Sequence, residues 1–381
     1  MFWLTLLLVA VVSRKNYCPM KKLIHGVLPD LEIAELMKDH ILNGATSSRI
    51  QPASIDLVPD LDTLMVLKHY SLPRKDENVD CMISQWSKTG VAHSVKSMTL
   101  LPQTHYLVRM KESLRGSECF ARVNPKSSIG RIFLQSRLLC NGVSTVDEVP
   151  VSYNGKLWTL LTPKFFPITL SPTESINQMR FFSGDARLSE HDLRRMIGYK
   201  KHIVTEPRDL FDIQKTISVT GGAIGEIPIS VDLHSKCYRT KHATGRPLSL
   251  SERSVDFNEY YELIDPEEIK AGLVIDCTKG YLIGTIEQFQ VPKNMAIEVM
   301  VSDKYGEIKL HFAGFVDPGF GLGIGNSITL EIVANEQGAC LRHGQYVGTV
   351  RAEWMASVPS KVYAGNYTHQ EAGAKLPKYL A

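Results

Sequence analysis

The sequence predicts a mainly β protein with a few short helices, arranged as two tandem repeats of one β-rich unit. From about residue 50 to residue 185, short apolar runs such as Tyr106–Met110, Ile129–Leu134 and Leu157–Leu161 alternate with Pro, Gly and Ser. Many short strands separated by turn residues are typical of sandwiches and barrel-like folds rather than of alternating strand–helix units. The same succession of signals returns in the second part of the chain, which indicates an internal duplication.

Several matched segments define the repeat. Each copy begins with an amphipathic helix, predicted at Leu28–Ile41 and at Leu188–Ile197. The motif Pro-x-Ser-x-Asp-Leu follows each helix, at residues 52–57 and 228–233. The further matches, in the same order, are Ile129–Leu134 with Tyr305–Leu310 and Leu170–Arg180 with Leu341–Arg351. We therefore predict an N half at residues 23–185 and a C half at residues 186–381.

Residues 1–22 are predicted to be an N-terminal extension outside the fold. The opening run MFWLTLLLVAVV is apolar but too short to span a bilayer. It resembles the apolar core of a signal peptide, yet its basic residues, Arg14 and Lys15, follow the run instead of preceding it. Met20-Lys21-Lys22 is typical of the start of a cytosolic protein, so we expect the fold to begin after it.

The composition is that of a globular protein, with 44% hydrophobic and 22% charged residues. A formal net charge of +3 is too small to predict nucleic acid as a partner, although it is compatible with a small polyanionic ligand. The 7 cysteines are widely spread and include no C-x-x-C pair, which favours a reducing compartment over a disulfide framework. We therefore expect a cytoplasmic protein that binds neither nucleic acid nor a membrane.

The N half carries a candidate anion site, the loop from Lys126 to Arg131, which we call the phosphate loop. Ser127 and Ser128 offer hydroxyl donors, and Arg131 offers a guanidinium that can bind phosphate oxygens in pairs. The alternative is a surface turn whose charges are solvated and contribute little. In the C half, Glu307 stands at the position of Arg131, so that copy of the loop would repel a polyphosphate.

The C half carries a different motif, a turn followed by a strand with one carboxylate. Asp-Pro-Gly-Phe at residues 317–320 is a turn sequence, since Asp bonds its own backbone, Pro presets φ and Gly accepts positive φ. Ser327–Val333 is apolar and β-branched except for Glu331. A carboxylate in such a strand is costly to bury unless it is paired or functional, and the alternative is an edge-strand Glu that faces water.

The two halves are complementary in these motifs. The N half has the phosphate loop, but at the position of Glu331 it has the apolar strand Trp158–Leu161. The C half has Glu331, but carboxylates have replaced part of its copy of the loop. A composite site between an N half and a C half is the simplest explanation of this pattern. The glycines that follow residue 318 match neither a P-loop nor a Rossmann motif.

Together these segments resemble the dCTP deaminase family, which has the dUTPase-like superfold, a β-clip or distorted β-barrel. The resemblance covers nearly all of residues 23–381 and is to the double-length, tandem-duplicated branch of the family. It is carried by Gln51–Leu57, by Lys126, Ser127, Ser128 and Arg131, by Ala313 with Asp317, Pro318, Gly319 and Phe320, by Glu331, and by Tyr367-Thr368-His369-Gln370. The sequence departs from the family pattern at Lys126, where Arg is common, at Phe320, where Trp is common, and at Asn366, where Lys is common.

The resemblance implies hydrolytic deamination of dCTP to dUTP and ammonia, which supplies dUTP for dUMP and dTTP synthesis. It implies that Glu331 is the general base and acid and that the Ala313 backbone positions the attacking water. The implied substrate-binding residues are Lys126, Ser127, Ser128 and Arg131 for the triphosphate, Asp317 for the deoxyribose 3′-hydroxyl, Pro318, Gly319 and Phe320 in the same turn, and Tyr367 and Gln370 in a lid.

The resemblance also implies Mg²⁺ carried on the substrate triphosphate, dTTP or dUTP as regulators, and a homo-oligomer with sites between N and C halves. No zinc is expected, because a zinc deaminase requires H-x-E together with P-C-x-x-C, and this sequence has no C-x-x-C. Two alternatives stay open. One is a dUTP pyrophosphatase, or an enzyme with both activities, and the other is a non-enzymatic regulator that binds nucleotides.

Overall fold

The computed structural model describes residues 25–86, 98–198, 204–205, 218–220, 224–241, 245–301, 305–306, 308–311, 314–368 and 372–381. The predicted N-terminal extension lies outside these residues, as do Ala313 and Gln370. Within the described ranges, no helix is long and apolar enough to cross a membrane.

The described part of the chain contains several short helices. They are α1 (Asp30–Lys38), α2 (Val79–Trp86), α3 (Ser127–Gly130), α4 (Glu190–Gly198) and α5 (Pro266–Ile269), with 3₁₀ turns at Ser47–Arg49 and Phe257–Glu259. α1 and α4 lie where the sequence predicts a helix at the start of each half, and each is shorter than its apolar pattern. Ile33 of α1 and Leu193 of α4 are fully buried, as the amphipathic pattern requires.

Strands form most of the remaining structure. In the N half they are β1 (Leu42–Asn43), β2 (Ile55–Leu57), β3 (Pro59–Leu67), β4 (Met98–Leu100), β5 (His105–Arg115), β6 (Phe120–Pro125), β7 (Leu134–Cys140), β8 (Glu148–Val149), β9 (Asn154–Pro163), β10 (Ile168–Leu170) and β11 (Asn177–Phe182). The order β1-β5-β9-β7, with β3 on β5, forms one sheet, and β2-β11-β6-β8 forms another. The prediction of a mainly β protein with a few short helices is confirmed.

The C half is also built mainly of strands. Its strands are β12 (Val204–Thr205), β13 (Ser218–Thr220), β14 (Ile224–Asp232), β15 (Tyr238–Thr240), β16 (Leu248–Ser249), β17 (Tyr261–Leu263), β18 (Leu273–Val274), β19 (Tyr281–Phe289), β20 (Met295–Met300), β21 (Ile308–Leu310), β22 (Gly314–Val316), β23 (Asn326–Ala334), β24 (Cys340–Leu341) and β25 (Tyr346–Trp354). β19 is central, since it pairs with β14, β15 and β23.

One predicted strand is wrong. The run Ile129–Leu134 does not form a strand, because its first residues belong to α3 and β7 begins only at Leu134. The carbonyl of Lys126 accepts hydrogen bonds from the backbone N–H groups of Ile129 (2.7 Å) and Gly130 (2.9 Å), which closes a helical turn. The phosphate loop is therefore a compact helical turn between two strands.

Strand register shows which positions of the two halves correspond. In the N half, Leu107 of β5 lies opposite Leu160 of β9. In the C half, Leu282 of β19 lies opposite Glu331 of β23. Leu107 and Leu282 correspond to each other, because each directly follows a tyrosine in its strand. Leu160 and Glu331 are therefore equivalent positions of the duplicated fold.

The halves share a hydrophobic core. Tyr261, Leu282 and Tyr379 of the C half are buried in the core of the N half. β16 of the C half also extends a sheet of the N half, pairing in parallel with β10 so that Leu248 lies opposite Ile168. The apolar side chains buried across the boundary stabilise one arrangement of the two halves.

A buried ionic cluster also joins the halves. Arg122 Nη1 lies 3.0 Å from Glu298 Oε2, and Arg180 Nη1 lies 3.1 Å from Glu353 Oε2. Arg351 completes the cluster through an ion pair of 2.6 Å with Glu298. Because a buried charge is costly unless it is paired, these contacts penalise any other alignment of the two halves.

Candidate active site

A pocket lies where α3 of the N half faces β23 of the C half. Arg131 of the N half and Glu331 of the C half both line it, together with apolar side chains of the C half. The lining residues are Pro125, Lys126, Ser127, Gly130, Arg131, Val299, Leu310, Gly314, Phe315, Val316, Phe320, Ile328, Thr329, Leu330, Glu331, Tyr363 and Tyr367. The pocket is thus lined, in this structure, by two halves of one chain, and its role as the predicted composite site stays a prediction.

Lys126 is fixed at the start of the phosphate loop. Its Nζ group forms an ion pair with the Asp56 carboxylate and donates to Ser175 Oγ at 2.8 Å. Asp56 belongs to the Pro-x-Ser-x-Asp-Leu motif of the N half, for which the sequence predicted no role. The structure shows that this motif anchors the phosphate loop, which the local sequence pattern could not indicate.

Arg131 is buried and held from several sides, with 4% of the residue exposed. The hydroxyl of Tyr261 donates to the Arg131 carbonyl oxygen, and Arg131 Nη1 donates to the Lys375 carbonyl oxygen at 3.1 Å. The guanidinium carbon lies 3.6 Å from the ring centroid of Tyr367. These contacts contradict the alternative of a surface turn with solvated charges.

Glu331 lies on a strand that is paired on both edges, since β23 pairs with β19 and with β21. Its side chain is 13% exposed, and its Oε1 atom lies 3.8 Å from Arg131 Nε. This placement contradicts the alternative of an edge-strand carboxylate that faces water. Burial raises the pKa of Glu331 to about 7, although the positive charge of Arg131 opposes part of that shift. A carboxyl with such a pKa can both accept and donate a proton near neutral pH.

The turn at residues 317–320 forms as predicted, with the Phe320 N–H donating to the Asp317 carbonyl at 3.2 Å. Gly319 has a φ of 90°, and a Cβ there would lie 2.6 Å from Val362. Phe320 lines the pocket and meets Tyr363 edge-on at 5.6 Å between ring centroids. The backbone N–H of Tyr363 donates to the Pro318 carbonyl at 2.8 Å, so Tyr363 supports both the turn and the pocket wall.

Asp317 is buried and is not among the residues that line the pocket in the described part of the chain. Its Oδ1 atom accepts a hydrogen bond of 3.3 Å from Arg180 Nη2, and Arg180 reaches it from the N half. Burial raises the pKa of Asp317, whereas the ion pair with Arg180 lowers it. The predicted contact of Asp317 with the deoxyribose stays a prediction.

Tyr367 covers the phosphate loop. Its hydroxyl lies 3.0 Å from Ser128 Oγ, and its ring lies over the Arg131 guanidinium. Asn326 Nδ2 of β23 donates to the Thr368 carbonyl at 2.8 Å, which fixes the neighbouring backbone. Tyr367 therefore contacts the phosphate loop, and its role as a lid residue stays a prediction.

The strand pairing that positions Glu331 also involves His311. The His311 backbone N–H donates to the Glu331 carbonyl at 2.7 Å, and its ring lies 5.6 Å from that of Phe133. Burial, with the nearby charges of Lys164 and Arg137, lowers the pKa of His311 to about 3, so the imidazole is neutral near pH 7. Among the described residues, no three His, Cys, Asp or Glu side chains are arranged to hold a metal ion.

Two family models and a solved structure match the chain. The family model of the 2′-deoxycytidine 5′-triphosphate deaminase N-terminal domain matches residues 24–185, and that of the C-terminal domain matches residues 188–380. The crystal structure of 2′-deoxycytidine 5′-triphosphate deaminase from Agrobacterium tumefaciens is similar over 88% of this chain and 99% of that chain. Its TM-score is 0.78 and its sequence identity is 26%. No curated protein sequence matches the chain.

The matches identify the fold as well as the family. Two domains in tandem, mostly β, correspond to the dUTPase-like fold of that deaminase, as the motif resemblance implied. The boundary that we place between residues 185 and 186 stays a prediction. With both family models matched and nearly the whole length of a solved deaminase superimposed, the chain belongs to the 2′-deoxycytidine 5′-triphosphate deaminase family.

Proposed function

We propose that the pocket between the halves converts dCTP and water to dUTP and ammonia, with Glu331 as general base and acid. The enzyme class follows from the family, whose members are hydrolases that act on the cytosine amino group. One observation carries the assignment to this pocket. A buried carboxyl with a pKa of about 7 lies 3.8 Å from an arginine of the phosphate loop, inside a cavity that both halves line.

The proposed reaction needs one group that moves a proton in both directions. Glu331 takes a proton from water as the water oxygen bonds to C4 of cytosine, and it delivers that proton to the amino nitrogen as the C4–N bond breaks. The second water proton ends on N3 of the uracil product, so the products are dUTP and ammonia. Proton transfer by a positioned carboxyl contributes about 10²–10⁴-fold to such a step. The Ala313 backbone is proposed to hold the water.

The phosphate loop is proposed to bind the triphosphate. Ser127 and Ser128 supply hydroxyl donors, and Lys126 and Arg131 supply positive charge at the same wall of the pocket. Mg²⁺ would be carried by the substrate phosphates, where it neutralises part of their charge. The Tyr367 hydroxyl lies 3.0 Å from Ser128 Oγ, so Ser128 can donate to a phosphate oxygen while it accepts a hydrogen bond from Tyr367.

The turn and the lid are proposed to complete the substrate site. Asp317 would bind the deoxyribose 3′-hydroxyl, and Pro318 and Gly319 would place Phe320 beside the nucleoside. Gln370 would close over the phosphates together with Tyr367. The ion pair that holds Asp317 supports this role, because a carboxylate fixed by Arg180 presents its remaining oxygen in one orientation.

Further properties are proposed from the sequence and the family. We propose dTTP or dUTP as regulators, a homo-oligomer with each site between an N half and a C half, and a cytoplasmic location. The small net charge and the widely spread cysteines support a protein that does not bind nucleic acid or a membrane. Deaminase models matched on both halves favour deamination over dUTP hydrolysis or nucleotide binding alone.

The test is product analysis with the full chain. The protein is incubated with dCTP and Mg²⁺, and in parallel with dUTP, each with and without a zinc chelator. We expect ammonia and dUTP from dCTP in equal amounts, insensitive to the chelator. Formation of dUMP and pyrophosphate without ammonia would instead identify a pyrophosphatase, and loss of activity with the chelator would contradict a metal-free deamination.

A further inference from the structure

The sheet face that carries Glu331 in the C half is covered by the N half. Leu282, which pairs with Glu331, belongs to the core of the N half, whereas its neighbours Tyr281 and Ile283 belong to the core of the C half. The N half therefore acts as the partner that closes this face. Arg131 is part of that contact, and the catalytic pocket lies within it.

The equivalent face of the N half is covered differently. Leu107, Trp158 and Leu160 form a hydrophobic cluster separate from the main core of the N half. The other buried members are Met65, Leu67, Val79 and Leu139, with Ile83 and Val146 packed against them. Val79 and Ile83 belong to α2. This face of the N half is therefore covered by a helix of the N half itself, whereas the equivalent face of the C half is covered by the other half of the chain.

α2 is docked by specific contacts rather than laid loosely on the sheet. The Val79 N–H donates to Asn141 Oδ1 at 2.9 Å, and the Gly142 N–H donates to the Glu77 carbonyl at 2.8 Å. Gly142 has a φ of 68°, and a Cβ there would lie 2.7 Å from the Lys75 carbonyl oxygen. This close approach needs glycine, which ties the segment before α2 to the end of β7.

We infer that α2 seals the N-half counterpart of the catalytic face, so that each chain has one catalytic site, built from its own two halves. The sealed face holds Leu160 where the catalytic face holds Glu331, and it cannot receive a C half from a second copy while α2 covers it. The oligomer proposed above then associates through other surfaces and shares no catalytic residue between chains. This inference rests on the deaminase activity proposed for the pocket.

A complementation experiment tests whether sites are shared. Arg131→Ala and Glu331→Gln chains carry different tags, are co-expressed, and are purified through both tags or, if no mixed species forms, as a mixture. A site shared between chains would combine an intact loop from one with an intact Glu331 from the other. We expect no deamination above the sum of the two variants measured separately. Recovery of activity in the mixed preparation would overturn the inference.

The wild type, measured in the same assay, separates two kinds of failure. If the wild type does not deaminate dCTP, the proposed function fails, and the seal is then judged by a second experiment that needs no activity. Ile83→Asp places a charge where α2 packs on the cluster, and Ser84→Asp places the same charge on its exposed side. We expect Ile83→Asp, but not Ser84→Asp, to increase binding of an apolar fluorescent dye several-fold and to shift sedimentation toward larger species.

A further control tests whether the Ile83 variants are folded. Far-ultraviolet circular dichroism must match the wild type, and if Ile83→Asp unfolds the chain, Ile83→Ala is measured by the same two methods. The expected result for Ile83→Ala is a smaller increase in dye binding in the same direction. A folded Ile83 variant that binds dye and sediments as the wild type does would show that α2 does not seal the face.

Discussion

β9 of the N half and β23 of the C half occupy the same place in the two copies of the fold, yet β9 has Leu160 where β23 has the carboxylate of Glu331. Register fixes the equivalence, because Leu160 faces Leu107 just as Glu331 faces Leu282. One face became an apolar cluster under α2, and the other became the wall of a pocket opposite Arg131. Duplication thus allowed each half to keep one part of a site and to lose the other.

A second pair of carboxylates shows what the two halves retained in common. Glu112 accepts a hydrogen bond of 3.0 Å from the Val58 N–H, and Glu287 accepts one of 2.8 Å from the Ser230 N–H. Both are buried. Glu112 ties β5 to Val58, which directly follows the Pro-x-Ser-x-Asp-Leu motif of the N half, and Glu287 ties β19 to Ser230, which lies within the motif of the C half. Each of these carboxylates therefore joins two segments of its own half, and Glu112 also lies 3.3 Å from Arg49 Nη1. Glu331 differs because it lines the pocket between the halves.

Removing the charge of Glu331 should have the largest effect. Glu331→Gln keeps the shape of the side chain but cannot take a proton from water, so kcat for dCTP should fall by about 10²–10⁴-fold. Equilibrium binding of dCTP should change little, because the phosphate loop is intact. Glu336→Gln, the same change at an exposed position after β23, is the control and should be active. A Glu331→Gln enzyme with wild-type kcat would remove Glu331 from the mechanism.

Placing a carboxylate in the equivalent position of the N half should be harmful. Leu160→Glu buries a charge in an apolar cluster, where Arg137 on the neighbouring strand is already paired with Asp147 at 2.9 Å, so the free energy of unfolding should fall by about 3–5 kcal/mol at pH 8. Leu263→Glu, at a leucine that is 52% exposed, is the control and should cost little. Denaturant titration of both variants measures the difference. Equal stabilities would mean that the N-half face is open to water and that α2 does not cover it.

The Glu331 carboxyl should cost stability as pH rises. Its pKa is about 7 in the folded chain, above the ordinary value of 4.5, so the folded state favours the protonated form. The stabilising contribution is complete below pH 4.5 and is lost as pH rises through 7. Glu331→Gln should therefore gain stability over the wild type between pH 5 and pH 8, by at most about 3 kcal/mol. Parallel unfolding curves at both pH values, with an unchanged difference, would contradict the raised pKa.

Removing the cation opposite Glu331 should affect binding and protonation together. Arg131→Ala should raise KM for dCTP by an amount equivalent to about 2 kcal/mol, the loss of a charged hydrogen bond. Because Arg131 lowers the pKa of Glu331, the acidic limb of the kcat–pH profile should also move to higher pH. Arg115→Ala, at an exposed position at the end of β5, is the control. An unchanged KM and pH profile would separate Arg131 from the site.

The motifs of the site were predictable from sequence because each is local. The phosphate loop, the turn at residues 317–320 and the carboxylate of β23 are short patterns, and comparing the two copies showed which half had kept each. The fold class was predictable for a similar reason, since short apolar runs with turn residues recur at the same spacing in both halves. The prediction failed at Ile129–Leu134, where a helical turn overrides an apolar pattern.

The contacts that position these motifs were not predictable. Arg180 meets Asp317, Lys126 meets Asp56, and Tyr261 meets Arg131, and each pair is brought together only by the packing of separate strands. No spacing rule links such residues, because the sequence between the members of each pair passes through several strands. The covering of β9 by α2 is of the same kind. Sequence indicated that the N-half strand lacks a carboxylate, but not what replaced the pocket.

Tyr261 allows the smallest and most selective test of how the C half positions the phosphate loop. Its hydroxyl donates to the Arg131 carbonyl, whereas the neighbouring Tyr260 donates to the Arg246 carbonyl at 3.2 Å, outside the pocket. Tyr261→Phe and Tyr260→Phe should each lose about 1 kcal/mol of stability, the net value of one hydrogen bond. Only Tyr261→Phe should also raise KM for dCTP, while kcat stays near that of the wild type. If both variants change KM equally, the effect is one of stability, and Tyr261 does not position Arg131.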